Sequence, residues 1–112
     1  MISIALATAL AAAAAPATPP TRPRELYATC LNRFLKASMA AKMEPDAFKT
    51  AARTTCAAEE TAFRKAMVDY DVKMGAKRAA AEEGVLLEVD DYLTSTTETY
   101  QVHTKAPAKP QQ

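Results

Sequence analysis

The chain has 112 residues and a formal net charge of +1, which leaves room for one small domain and points to no partner by charge alone. It is rich in alanine, holds two glycines and no tryptophan, and has seven aromatics, four Tyr and three Phe. Alanine loses no side-chain entropy in a helix, so the composition predicts an all-α fold with a thin core, and excludes a large one.

Residues 1–15, MISIALATALAAAAA, form an uncharged apolar run ending in small residues. This is the pattern of a secretory signal peptide, with Ala15 and Ala17 satisfying the small-residue rule for cleavage after residue 17. The run is too short for a membrane span, which needs about 20 residues. No Lys or Arg precedes it, a departure from the usual pattern. Residues 18–23, TPPTRP, follow as a Pro-rich linker, because proline lacks the amide donor that helix and sheet require.

A helical domain is expected over 24–100. The first helix is predicted from Arg24 to Lys42, with Tyr27, Cys30, Leu31, Phe34 and Ser38 on one face and Leu26, Leu35 and Met39 beside them. The Met43-Glu44-Pro45-Asp46 stretch breaks it, since the residue before a proline is pushed out of the α region. A second helix is predicted from Pro45 to Met74, with an apolar line of Phe48, Ala52, Cys56, Phe63, Met67, Tyr70 and Met74 and a stop at Gly75. A third is predicted from Lys77 to Thr97, with a seam of Leu86, Val89, Leu93, Thr96 and Tyr100 and with Val85 and Tyr92 next to it. The Thr-Ser-Thr-Thr-Glu-Thr run weakens helix propensity, so the end should fray into a disordered tail over 101–112.

Cys30 and Cys56 are the only cysteines and lie symmetrically about Met43. An antiparallel hairpin turning there brings them level, and small residues at Ala51, Ala52, Ala57 and Ala58 permit the close approach a disulfide needs. In an exported chain an even cysteine count implies a disulfide. The architecture expected is therefore a disulfide-pinned antiparallel hairpin plus a third helix, a small three-helix bundle. By loop-closure entropy the Cys30–Cys56 bond stabilises it by about 3–4 kcal/mol. A redox role would call for the C-x-x-C spacing that tunes a thiolate, and the chain lacks it.

No catalytic, cofactor-binding or metal-binding residues are assigned. His103 is the single histidine and sits near the tail. Ser38 and Ser95 have no sequence-linked base. Glu59-Glu60, Glu82-Glu83 and Asp90-Asp91 are adjacent pairs whose side chains diverge by about 100° on a helix, so they suit a solvated face better than acid–base work. Met39, Met43, Met67 and Met74 raise thioether ligation of Cu(I), though all four fall on core stripes. The basic set, Arg22, Arg24, Arg33, Lys36, Arg53, Arg64, Lys65, Lys77 and Arg78, lacks the interleaved aromatics of a nucleic-acid platform.

Charge is segregated along the chain. Residues 22–78 hold 12 basic and 7 acidic residues, whereas 79–104 hold 6 acidic and none basic. The halves are expected to lie against each other or to meet separate partners. The overall make-up resembles the small exported helical proteins of Gram-negative bacteria, a likeness of appearance that assigns no residue a role. The function expected is a non-enzymatic binding or structural module of the cell envelope, periplasmic or secreted, meeting another envelope protein or an anionic envelope surface. The alternative is a periplasmic copper-handling protein using Met and carboxylate side chains.

Overall fold

A computed structural model describes residues 18–105, which are all-helical. The expected signal peptide, at 1–17, and residues 106–112 lie outside the described residues. Four helices follow in order: α1 (Thr21–Ala41), α2 (Pro45–Thr55), α3 (Ala57–Lys73) and α4 (Arg78–Thr104). The helical bundle stands as expected, but with four helices rather than three.

The difference lies at Cys56. Its backbone leaves helical geometry, at φ −100° and ψ 20°, and splits the expected second helix into α2 and α3. The hydrogen-bond ladder still crosses the break, with the Cys56 N–H donating to Ala52 O at 3.0 Å and the Glu60 N–H to Cys56 O at 2.9 Å. The element is one bent rod. Packed helix axes usually stay about 8–10 Å apart, whereas the Cα atoms of Cys30 and Cys56 lie 5.9 Å apart and their sulfurs are bonded. Bending the rod at the bridged residue carries Cys56 to α1 without forcing the full lengths of both helices together. Glu59 and Glu60 then fall in the first turn of α3, where carboxylates suit the helix dipole.

The other ends are set locally. α1 starts before the expected Arg24, because Thr21 and Arg22 are already helical and Pro23 sits in the first turn, where no intrahelical donor is needed. It ends on Lys42, a non-glycine residue in the left-handed region at φ 53°, with the Met43 N–H reaching back to Ser38 O at 3.1 Å. Pro45 then opens α2. Gly75, at φ +104°, ends the rod as expected.

α4 runs past Thr97 to Thr104, so 101–104 belong to the helix and not to a tail. Thr96, Thr97, Thr99 and Thr104 each donate a hydroxyl hydrogen bond to the carbonyl four residues back, which slightly weakens a helix. Tertiary packing holds the final turns. Tyr100 is fully buried, stacks on Phe48 with ring centroids 4.4 Å apart, and donates its hydroxyl to the Met43 and Ser38 carbonyls.

α1, the bent α2–α3 rod and α4 run up, down and up, and α4 touches the other three helices. Cys30–Cys56 lies between two aromatic layers. On one side Tyr27 stacks on Phe63, and Tyr92 meets both edge-on. On the other, Phe48 sits between Phe34 and Tyr100. The α4 seam is rotated from the expected one: Ala81, Val85, Val89, Leu93, Thr97 and Tyr100 face inward, and Leu86 is left 43% exposed. Met74, expected on the core line of the second helix, is also exposed.

Candidate functional site

Arg24 belongs to the scaffold despite its place in the basic set. Its guanidinium lies over the Phe63 ring at 5.2 Å, pairs with Glu88, and comes within 3.5 Å of the Tyr92 hydroxyl and of the Met67 sulfur. The Tyr92 contact and the Glu88 charge favour its protonated form against the cost of burial, and its pKa is raised. This joins α1 to α4, one of the two arrangements the charge segregation allows. A second cross-helix contact runs from Lys49 on α2 to Asp90 at 3.4 Å and the Thr94 hydroxyl at 3.3 Å on α4.

Two open grooves that meet at Thr61 are bordered by cations of α2 and α3 and by Arg78 at the start of α4. One, of about 520 Å³, runs past Lys49, Thr50, Arg53 and Thr54 of α2 to Ala57, Glu60 and Thr61 of α3. The other, of about 450 Å³, lies between α3 and α4 beside Arg64, Lys65 and Arg78, with Val68 and Leu86 as its apolar part. The two are lined by five cations (Lys49, Arg53, Arg64, Lys65, Arg78) and three carboxylates (Glu60, Asp69, Glu82).

Glu60 organises the junction. Its side chain is only 8% exposed, with Arg53 Nε 3.5 Å from one carboxylate oxygen and Arg64 3.6 Å from the other. The Arg53 contact is an ion pair without hydrogen-bond alignment, so that oxygen is charge-compensated but not hydrogen-bonded. Behind it, the Tyr27 hydroxyl is buried without a hydrogen-bond partner. Desolvation first, then the Glu60 charge, pushes Tyr27 up to about 12. Lys65 is paired with Asp69 at 3.2 Å, and Arg78 joins no ion pair among the described residues.

The other residues singled out by sequence scatter. Glu60 and Glu59 diverge, one buried and one half-buried. Among the described residues no three His, Cys, Asp or Glu side chains gather as a metal site. The methionines divide. Met67 lies by Arg24 and Met74 is exposed, whereas Met39 and Met43 share a cavity with His103 at the opposite end of the bundle. That meeting was hidden in the sequence, because it depends on the extra turn of α4. No helix of the described residues is long and apolar enough to cross a membrane. No protein-family model, no curated protein and no solved structure matches this chain.

Proposed function

We propose that this chain is an exported, non-enzymatic binding module of the cell envelope that holds an acidic, extended segment of a partner protein along α2 and α3. The observation that carries the reading is the pair of adjoining grooves bordered by five cations. Lys49 is held by exposed contacts to Asp90 and Thr94, and Lys65 by an exposed pair to Asp69. Such pairs contribute about 0–1 kcal/mol, so a partner carboxylate can replace them at little cost. Arg53 and Arg64 border the grooves within ion-pair distance of Glu60, at 3.5 and 3.6 Å, and both remain partly exposed to a partner. Val68 and Leu86 supply apolar contact beside the charges. Export is supported by the Cys30–Cys56 pair, since disulfides persist in oxidising compartments, and by the apolar run with its small-residue end at 1–17.

The test is an NMR titration of the oxidised chain with a poly-glutamate probe, with phosphatidylglycerol vesicles as a second arm. Shifts are expected at Lys49, Thr54, Lys65 and Arg78, and they should shrink as salt is raised. The K49E/K65E/R78E variant, altered only at exposed side chains, should fold normally and bind at least about tenfold more weakly. Equal binding by that variant, or shifts confined to another face, would sink the reading. Tighter binding to vesicles than to the probe would replace a protein partner with a lipid surface.

A further inference from the structure

We infer that Met39, Met43 and His103 form a binding site for a soft monovalent ion, Cu(I), at the end of the bundle where α1 turns into α2. All three line one cavity of about 490 Å³, together with Lys42, Glu44 and Thr104. The site is independent of the α2–α3 grooves and shares no residue with them.

Three features of the fold bring these residues together. Lys42 takes the left-handed conformation and reverses the chain between Met39 and Met43, so the two methionines flank a turn and do not sit one above the other on a straight helix. Tyr100 donates its hydroxyl to the Met43 carbonyl and so ties the turn to α4. The last turn of α4 then carries His103 to the same cavity, three residues beyond that anchor. Met39 and Met43 pack partly against the core, which restrains their backbones, while His103 is solvent-exposed and gives an ion a way in.

The donor set decides the ion. Two thioethers and an imidazole are soft or borderline neutral ligands, and thioether sulfur selects Cu(I) over the harder divalent ions that carboxylates and carbonyls hold. One carboxylate, Glu44, stands at the cavity, too little negative charge for a caged calcium or magnesium ion. Binding of a single monovalent ion by neutral ligands adds one charge at an open site and requires no redox step. With both cysteines already bonded to each other, no thiol competes for the ion.

The experiment uses the oxidised chain with Cu(I) supplied as its weak acetonitrile complex, ascorbate keeping the copper reduced. One equivalent should be withdrawn from the acetonitrile complex, and the dissociation constant should be about 1 μM or tighter. Ag(I), a redox-inert mimic, should shift the methyl signals of Met39 and Met43 and leave those of Met67 and Met74 in place. The M39L/M43L variant keeps apolar volume, so it should retain its melting temperature while losing at least about tenfold in affinity. H103Q should show a comparable loss. Failure to withdraw copper, full retention of affinity in M39L/M43L, or silver-induced shifts at Met67 and Met74 would each overturn the site.

Discussion

Two buried tyrosines have opposite relations to their hydroxyls. Tyr100 donates to the Met43 carbonyl and lies 3.3 Å from the Ser38 carbonyl, which already accepts from the Met43 N–H. Tyr27 is equally buried and its hydroxyl has no hydrogen-bond partner. Y100F takes the donor from the partly buried Met43 carbonyl and should destabilise the fold by about 0.5–1.5 kcal/mol in denaturant unfolding. Y27F removes a desolvated, unpaired group and should leave stability unchanged or slightly raised at neutral pH. The same burial fixes a pH signature. An unfolded tyrosine loses its proton near pH 10, whereas folded Tyr27 keeps it to about 12, chiefly through desolvation. Between those values the unfolded chain has released a proton the folded chain still holds, so stability is intact below pH 10 and falls as pH rises toward 12. Y27F should show a shallower decline in that window, and identical slopes would mean that Tyr27 is solvated.

At the level of elements, the legible features were those encoded by short-range chemistry. Pro45 and Gly75 marked turns because each constrains its own backbone. The Cys30–Cys56 pairing was legible because the turn lay midway between them. The bend at Cys56 was not, since the stretch Arg53–Glu60 has no proline or glycine and reads as uninterrupted helix. The break falls at the residue bonded to a partner 26 residues away in sequence. The end of α4 was misread for the complementary reason: threonine propensity opposed helix, and Tyr100 packing on Phe48 outweighed it. The α2–α3 grooves are not legible in sequence, because their cations come from separate turns and from the start of α4. If the bridge causes the bend, removing it should restore the helix. In C30A/C56A the Cα chemical shift at residue 56 should move to a helical value, and stability should fall by about 3–4 kcal/mol, the loop-closure estimate for the bridge. A bend that survives the double substitution would assign it to packing against α4.

Over the whole molecule the segregation of charge is resolved only in part. α4 carries all six carboxylates of residues 79–104, and two of these, Glu88 and Asp90, meet cations of the other helices. The two contacts differ in surroundings. Lys49 and Asp90 are about half exposed, with side-chain exposures of 46% and 63%, and water screens them. Arg24 and Glu88 are less exposed, at 38% and 28%, and the guanidinium also rests on Phe63 and meets Tyr92. The bundle is therefore clamped electrostatically at the Arg24 end, while the Lys49 contact is free to exchange. Double-mutant cycles separate the two. The R24Q/E88Q cycle should give a coupling of about 1–2 kcal/mol, discounted for partial exposure, and should lose little of it in high salt. The K49Q/D90N cycle should give less than about 0.5 kcal/mol and vanish in high salt. Equal couplings would mean that α4 is held as firmly at Lys49 as at Arg24, and Lys49 would then not be free to serve a partner in the groove it borders.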